Sequence, residues 1–422
     1  ASIERSSVAA PPHSLADAVP ASVLRPPRMV GRSAELAVLA QGWAAAQVVA
    51  VNAEAGTGKS RLLQEFAATR PGVAHVAARP GDAGVPFATL ARLLRTVVGR
   101  PQEATQTAML ALEAGTRRAV ARVVPELAGN EAMSLTAPGG PGPVGSGQRQ
   151  ALQRAVAELL AAQPGLEGLL VDDLHFADEA SLDMLLTLAA DDPHASGAQP
   201  RATLRWALAY RPAEAGTPLR VFVDALSDQA VLRPLPLHPL DLAGLAALVD
   251  SLGLPGIDGA ALAPGLLRRT GGNPLFVLET IKQAWVERKL AQLADAQLMP
   301  RPQSVGRLIE RRVLQLSPGA LAVARVAAIA GVDFCVALAE HVLQVPAMAL
   351  ADSIAELDTA QVMRGDAFAH DLVADAVQGS VPPTVAEHTH AQVAQWLEAH
   401  HGEPARVGRH WVAAGQPLRA LP

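Results

Sequence analysis

One lysine follows a short glycine-containing segment near the start of the chain, in the sequence VNAEAGTGKSRLL of residues 51–63. The chain has only three lysines, Lys59, Lys282 and Lys289, beside 32 arginines. A lysine at position 59 is therefore unusual in a chain whose basic residues are almost all arginines. A short apolar run precedes the glycines and a helical pattern follows them. In that context main-chain N–H groups can surround a phosphate at the start of a helix. The segment therefore predicts a phosphate-binding loop.

The loop matches the pattern G-x-x-x-x-G-K-[ST], except that Ala53 stands at the first glycine. An alanine is tolerated there if its φ is negative. We expect Lys59 to reach the β- and γ-phosphates of a nucleotide and the Ser60 hydroxyl to hold Mg²⁺. The alternative is an accidental turn between a strand and a helix. The candidate nucleotide-binding residues of the loop are Ala55, Gly56, Thr57, Gly58, Lys59, Ser60 and Arg61.

A pair of carboxylates ends a second apolar run, in GLLVDDLHFADEASLDML of residues 168–185. A carboxylate at the tip of a buried strand is costly unless it meets a cation. We therefore expect Asp172 to lie in the Mg²⁺ shell and Asp173 to orient or deprotonate the attacking water. The alternative is that the pair caps the helix that follows, a role that Asp178 fits better.

An arginine ends a third apolar run, where Tyr210 is followed by Arg211 and Pro212. Ligands of open α/β sheets bind beyond the carboxyl ends of the strands. We expect Arg211 to sense the γ-phosphate and to act with Lys59 and Asp173 in catalysis. An exposed loop arginine is the alternative.

These residues follow strand-like runs separated by helical stretches, and this alternation predicts a parallel sheet with helices on both faces. The predicted strands are 47–52, 73–78, 168–173, 204–210 and 231–237. Beyond residue 238 the strands thin out and the pattern becomes helical. Residues 1–28, rich in Ala, Pro and Ser, are typical of a linker.

The composition of the chain argues against several classes of protein. The chain has 422 residues, half of them hydrophobic, a net charge of −5 and no long basic run. It therefore lacks the electrostatic footprint of a strong nucleic-acid binder. A single cysteine, Cys335, excludes an internal disulfide framework. No apolar stretch is long enough to span a membrane. We expect a cytoplasmic protein, and the absence of Met at position 1 indicates a piece of a longer one.

Six segments in this order resemble the STAND class of AAA-type P-loop ATPases, found in large bacterial regulators. They are MVGRSAEL, AEAGTGKSR, LLVDDLHFADEASLDML, AYRP, RRTGGNPLFVLE and FAHDLVADAV. The resemblance implies an α/β P-loop nucleotide-binding domain followed by a helical lid, a winged-helix domain and a helical repeat. The domains would be 29–237, 238–300, 301–380 and the start of a TPR-like repeat at 381–422. Ala53 departs from the family pattern, as does Phe176, where relatives often carry Trp.

The resemblance also implies contacts with bound ATP or ADP from outside the loop. Val30, Gly31 and Arg32 would lie by the adenine. Pro274 would press on the base from the lid, and His370 would reach the β-phosphate of ADP from the winged helix. Alternatively, Gly272-Asn273-Pro274 is only a helix-breaking turn and His370 a core histidine.

The leading hypothesis is an ATP/ADP-binding signal-transduction switch with slow Mg²⁺-dependent ATP hydrolysis inside a transcriptional regulator of the SARP-like or LuxR-like kind. Its partners would be an unknown inducer, a DNA-binding or effector domain outside residues 1–422 and further copies of itself in a nucleotide-dependent homo-oligomer. The alternative is the regulatory ATPase module of a class III nucleotidyl cyclase. A defence or scaffold protein that works by oligomerisation alone is a third possibility.

Overall fold

A computed structural model describes most of the chain. The described residues are 20–24, 26, 28–99, 113–126, 146–190, 204–295, 298–300, 306, 309–310, 312–360 and 362–420. Most of the predicted linker 1–28 lies outside them. The chain divides into two compact units, a sheet unit, Arg32–His238, and a helical unit, Ala1–Gly31 with Pro239–Pro422.

The sheet unit alternates strands and helices, as the sequence predicts. Its strands are β1 Val48–Asn52, β2 Val73–Ala77, β3 Gly168–Asp172, β4 Arg205–Tyr210 and β5 Leu232–Pro236. Its helices are α2 Ser33–Ala44, α3 Lys59–Ala68, α4 Ala88–Val98, α5 Ala114–Ala121, α6 Ser146–Ala161, α7 Glu179–Ala190 and α8 Thr217–Asp228; α1, Ala21–Leu24, belongs to the helical unit. Short 3₁₀ turns follow β3 at Leu174–Phe176 and β4 at Pro212–Glu214.

The five strands form one parallel sheet in the order β2-β3-β4-β1-β5. Each predicted strand is confirmed to within a residue or two at its ends. β5 contains Pro234 and Pro236 and lies at an edge, which is where a strand with missing N–H groups can be accommodated. Since all the strands run in one direction, the carboxyl ends of β1, β3 and β4 meet at the same edge of the sheet.

Both faces of the sheet are covered. On one face, alternate residues such as Val76, Leu169 and Leu208 share an apolar cluster with side chains of α4, α6, α7 and α8. The helices α2 and α3 pack on the strands as well, and Trp43 and Phe66 meet edge to face at 5.2 Å. The central strands are apolar along their length because both of their faces are buried. The predicted α/β fold with helices on both faces is confirmed for this unit.

The described part of the helical unit contains one small hairpin besides its helices. Its further helices are α9 Leu242–Ser251, α10 Gly259–Thr270, α11 Pro274–Val286, α12 Pro318–Ala330, α13 Val336–Leu343, α14 Ala351–Thr359, α15 Asp371–Gly379, α16 Pro383–Ala399 and α17 Pro404–Ala413. Two-residue strands, β6 Met363–Arg364 and β7 Ala367–Phe368, pair antiparallel. Among the described helices of the chain, none has the length and apolar character needed to cross a membrane.

Helix α11 belongs to two apolar clusters of the helical unit. Val277 and Ile281 pack with α9 and α10, whereas Phe276 packs with residues of α12 to α16. An ion pair of 2.9 Å between the buried Arg269 on α10 and the half-buried Asp375 on α15 joins the same parts of the chain. The residues that follow Pro239 are therefore tied together by apolar packing and by this charge pair.

Candidate functional site

The phosphate-binding loop is formed as the sequence predicts. β1 ends at Asn52, the loop follows, and α3 begins at Lys59. Gly58 has φ +102°, a conformation that residues with a side chain rarely adopt, so the second glycine of the motif is required by its backbone. Ala53 does not have a positive φ, and the alanine at the first glycine position is therefore compatible with the loop.

The ammonium group of Lys59 is held inside the loop. Its Nζ donates to the carbonyl oxygens of Ala53, at 2.7 Å, and Glu54, at 2.9 Å, and the residue is only 5% exposed. Burial, followed by the nearby Arg211 guanidinium, lowers the pKa of Lys59 to about 8, while Asp172 and Asp173 oppose this shift. A buried ammonium with two carbonyl partners and a lowered pKa is poised for a strongly anionic ligand.

The two predicted carboxylates lie in different surroundings at the end of β3. Asp172 is buried, 2% exposed, and its Oδ2 lies 3.9 Å from Nε2 of His75. Asp173 is half-buried and has left-handed backbone angles, φ 51° and ψ 39°. Burial and then the Asp172 charge raise the pKa of the Asp173 carboxyl, against the opposing charges of Arg211 and Lys59. A raised pKa makes the Asp173 carboxylate a better proton acceptor than an ordinary aspartate.

Arg211 follows β4, beside the carboxylates, and its surroundings include two residues that the sequence analysis did not single out. Nη2 of Arg211 lies 3.9 Å from Oδ1 of Asp173, and Nη1 donates to Oε1 of Glu214 at 2.7 Å. The imidazole of His175 is fully buried, with Nε2 at 3.5 Å from Oε2 of Glu214 and 3.9 Å from Oδ1 of Asp173. Their signal in the sequence is position alone, since both lie in the turns directly after β3 and β4.

His175 is electrically neutral in this arrangement. Burial, followed by the charge of Arg211, lowers the pKa of His175 to about 4, although the Glu214 carboxylate acts in the opposite direction. Neither ring nitrogen has a hydrogen-bond partner among the described residues. A buried polar group of this kind is unusual in a structural core and common beside functional sites.

Arg32 is joined to the loop by its guanidinium group. Nη2 donates to the main-chain oxygens of Thr57, at 3.2 Å, and His238, at 2.6 Å, and Nη1 pairs with Glu35 at 2.7 Å. The hydroxyl of Thr57 in turn donates to the carbonyl of Glu54 at 2.7 Å. These bonds brace the loop, and the predicted adenine contact of Arg32 stays a prediction.

Ser60 and Arg61 lie in the first turn of α3, and both are half-buried. Arg61 forms an ion pair with Glu65, one turn further along the helix, at 2.5 Å. Serine and carboxylate oxygens, from Ser60 and Asp172, are hard ligands of the kind that Mg²⁺ takes together with nucleotide phosphates. The roles of Ser60 and Arg61 in nucleotide binding stay predictions.

Val30 and Gly31 belong to the helical unit, and so do Pro274 and His370. Val30 packs against the cluster around Leu240. Gly31 has φ +68°, and a Cβ there would lie 3.0 Å from Leu240 Cδ2. Both residues are thus fitted closely into their own unit, and their adenine contacts stay predictions.

The segment before Pro274 is a tight turn that ends α10 and begins α11. Gly272 has φ +79°, and a Cβ there would collide with the carbonyl oxygen of Leu240. The side chain of Asn273 caps α11 by accepting the N–H of Leu275 at 3.1 Å. A helix-breaking turn is therefore present. The contact of Pro274 with a base stays a prediction.

His370 lies against this turn, at the start of α15. A Cβ on Gly271 would lie 2.8 Å from His370 Cδ2, and the ring meets Phe276 edge to face at 5.4 Å. Burial, followed by the charges of Arg312, Arg364 and Arg269, lowers the pKa of His370 to about 3. Its buried Nδ1 has no hydrogen-bond partner among the described residues. The predicted contact of His370 with a phosphate stays a prediction.

Comparison with known proteins agrees with the loop geometry. Residues 28–204 match the AAA ATPase domain family. No curated protein matches the chain. A Walker-type ATPase of Pyrococcus abyssi has a similar structure, with a TM-score of 0.52 at 16% identity, over 83% of this chain and 96% of that one. This similarity concerns the fold.

Two other solved structures align over most of this chain with lower scores. The Aeropyrum pernix ORC2 protein, in ADPNP–ADP complexes, has a TM-score of 0.48 at 12% identity, over 85% of this chain and 98% of its own. A STAND protein with a tetratricopeptide repeat sensor from Pyrococcus horikoshii has a TM-score of 0.34 at 13% identity, over 96% of this chain and 50% of its own. At TM-scores below 0.5 neither similarity says more about this chain. The family match and the formed loop together support a P-loop ATPase module within residues 28–204.

Proposed function

We propose that this chain is an ATP/ADP-binding signal-transduction switch with slow Mg²⁺-dependent ATP hydrolysis. The observation that carries the proposal is the placement of Lys59. Its ammonium is buried in a formed phosphate-binding loop, on the carbonyls of Ala53 and Glu54, within electrostatic reach of Asp172, Asp173 and Arg211. Four charged side chains thus converge at the carboxyl edge of a parallel sheet, the place where such sheets bind ligands.

Each side chain has a chemical task that its surroundings support. Lys59 and the N–H groups of Ala55–Ser60 bind the phosphates, and Ser60 and Asp172 hold Mg²⁺. When bound, the metal neutralises charge on the phosphates. Asp173, whose pKa is raised, orients the attacking water and accepts its proton. Arg211 offers its guanidinium to the γ-phosphate.

The helical unit would supply the response to the nucleotide. We assign 238–300 to a lid and 301–380 to a winged-helix domain, on the support of three helices followed by the β6–β7 hairpin. The helix pair α16 and α17 would begin a repeat region at 381–422. Pro274 would touch the base and His370 the β-phosphate of ADP, so that ADP and ATP favour different states. The active state would be a homo-oligomer released by an inducer.

The larger context is a cytoplasmic regulator of transcription whose DNA-binding or effector domain lies outside residues 1–422. With its net charge of −5 this segment offers no basic stripe to follow phosphates, so we assign DNA binding to that other domain. No feature of the described residues and no similar protein favours the nucleotidyl-cyclase alternative.

The test uses the rarity of lysine in this chain. Lys59→Ala removes the ammonium from the loop, whereas Lys289→Ala removes an ammonium that is 47% exposed and pairs with Glu287. Isothermal calorimetry with ATP and ADP in Mg²⁺ is expected to show binding to the unmodified protein and to Lys289→Ala. We expect no measurable binding to Lys59→Ala. Equal affinity of the two variants would overturn the nucleotide site.

A further inference from the structure

The carboxylate of Glu214 joins two residues of the candidate site. Oε1 accepts a hydrogen bond from Nη1 of Arg211 at 2.7 Å, and Oε2 lies 3.5 Å from Nε2 of His175. Arg211 and Glu214 are three residues apart, across the 3₁₀ turn Pro212–Glu214 that follows β4. Pro212 restricts the backbone of this turn. The ion pair therefore has a defined geometry, which most exposed ion pairs lack.

The ion pair with Glu214 engages one nitrogen of the Arg211 guanidinium, and the other terminal nitrogen lies on the side of Asp173. Nη1 is bound to Glu214, whereas Nη2 lies 3.9 Å from Oδ1 of Asp173. Nε is buried and has no hydrogen-bond partner among the described residues. Since guanidinium is planar, fixing Nη1 also fixes the direction of the Nη2 edge. That edge faces the region beside Asp173, where a γ-phosphate would be attacked.

His175 limits the positions that Glu214 can take. Its imidazole is fully buried, with Nε2 3.5 Å from Oε2 of Glu214 and 3.9 Å from Oδ1 of Asp173, and it packs on Phe176 with ring centroids 4.1 Å apart. The ring therefore occupies the space next to Oε2 of Glu214. The side chains of Asp173, Arg211, Glu214 and His175 thus form one contiguous group that spans the ends of β3 and β4.

We propose that Glu214, backed by His175, is a positioning residue that fixes the guanidinium of Arg211 for the γ-phosphate. This inference rests on the proposed ATPase function and adds to it a residue that would touch neither nucleotide nor metal. An arginine aligned before the ligand arrives loses less side-chain freedom on binding and is better placed when charge develops in the transition state. Replacing Glu214 would therefore change the binding and hydrolysis of ATP and leave ADP binding unchanged.

The test compares Glu214→Gln with Arg211→Ala in the protein of residues 1–422. We expect both variants to lower kcat for ATP hydrolysis at least tenfold and to weaken binding of a non-hydrolysable ATP analogue, with the Kd for ADP unchanged within twofold. The double variant should lose no more activity and no more affinity for the ATP analogue than Arg211→Ala alone, since Glu214 acts through Arg211. Glu214→Asp, which keeps the carboxylate, should recover part of kcat. Glu113→Gln, at an exposed position before α5, is the matched control.

The outcomes separate this inference from the proposed function. If the unmodified protein binds neither ADP nor ATP, the ATPase function is wrong and the inference falls with it. If it binds and hydrolyses ATP but Glu214→Gln behaves like Glu113→Gln, the inference alone is wrong. Tighter binding of the ATP analogue by Glu214→Gln would show that Glu214 competes with the phosphate for Arg211, and a loss of ADP binding would show a structural role. Either result overturns the proposal.

Discussion

The main-chain N–H of Asp173 donates a hydrogen bond of 2.8 Å to Oδ1 of Asp172. This bond accompanies the left-handed backbone of Asp173, a conformation that aspartate tolerates better than most residues with a side chain. One carboxylate therefore stays in the buried end of β3, while the next one turns toward Arg211. Two adjacent residues of the same type are thereby separated into two chemical environments.

We expect Asp173→Asn to keep nucleotide binding and to slow ATP hydrolysis at least tenfold, a loss of about 1.4 kcal/mol of transition-state stabilisation. The amide can no longer accept the proton of the attacking water, although its size is unchanged. Single-turnover hydrolysis and calorimetry with ADP measure the two effects separately. Hydrolysis at the unmodified rate would refute the role of Asp173 as the proton acceptor.

Asp172→Asn serves as the contrasting variant. Because Asp172 is expected to hold the metal, replacing its carboxylate with the amide of asparagine should reduce the gain in ATP affinity that Mg²⁺ provides. The comparison is the Kd for ATP with Mg²⁺ and with EDTA in each variant. The division of labour is contradicted if Asp172→Asn keeps the full effect of Mg²⁺.

The affinity for ATP should fall with rising pH above about pH 8. In the free protein the pKa of Lys59 is lowered to about 8, so the ammonium loses its proton above that pH. A bound phosphate favours the charged form and raises the pKa, so binding takes up a proton in this range. We expect up to a tenfold loss of affinity per pH unit between the free and bound pKa values.

Calorimetry between pH 7.5 and about pH 9.5, in two buffers of different ionisation enthalpy, measures both the affinity and the proton uptake. Lys59→Arg is the control, because a guanidinium stays charged throughout this range. Any residual binding by that variant should not change with pH. A flat pH dependence in the unmodified protein would show that Lys59 is already fully charged in the free loop.

Asp178→Ala should destabilise the sheet unit by about 3 kcal/mol. The buried carboxylate of Asp178 accepts the N–H groups of Phe87 at 2.6 Å, Thr89 at 3.1 Å and Ser181 at 2.9 Å, and the Ser181 hydroxyl at 2.7 Å. It therefore caps α7, as its position in the sequence predicts, and also holds the start of α4. Without it, several buried donors lose their partner.

Urea unfolding measures this loss as a lower midpoint at unchanged slope. Asp183→Ala on the same helix is the matched control, because Asp183 is 54% exposed and lies 3.6 Å from Arg149. We expect the control to change the free energy of unfolding by less than about 0.5 kcal/mol. If the two variants unfold at the same midpoint, the bonds of Asp178 contribute little.

His370→Ala should release ADP faster and form oligomers without an inducer. The buried Nδ1 of His370, beside Gly271 and Phe276, has no hydrogen-bond partner among the described residues, and the lowered pKa keeps the ring neutral. A neutral N–H facing a diphosphate would gain a charge-assisted hydrogen bond, and the alanine cannot form it.

The ADP off-rate and the size-exclusion profile measure these two effects. His388→Ala, at an exposed position on α16, is the control and should retain ADP and elute like the unmodified protein. If His370→Ala also matches the unmodified protein in both measurements, His370 is an ordinary core histidine.

The sequence by itself determined the sheet unit and the central residues of its site. Apolar runs such as GLLVDD are short and uninterrupted because parallel strands are buried on both faces, so their positions can be recognised without the fold. The phosphate-binding loop is equally local, since six consecutive residues and the following helix create it. For the same reason Lys59, Asp172, Asp173 and Arg211 could be expected at one edge of the sheet.

Only the tertiary structure decided which side chains meet around Arg211. The strand order places β4 between β1 and β3, and this pairing brings the turn that carries Glu214 beside the turn that carries His175. Nothing in the periodicity of either segment records that contact, because pairing between distant strands depends on register and on the packing of the whole sheet. The contact of His370 with Gly271, between residues almost 100 positions apart in the chain, was decided by tertiary packing for the same physical reason.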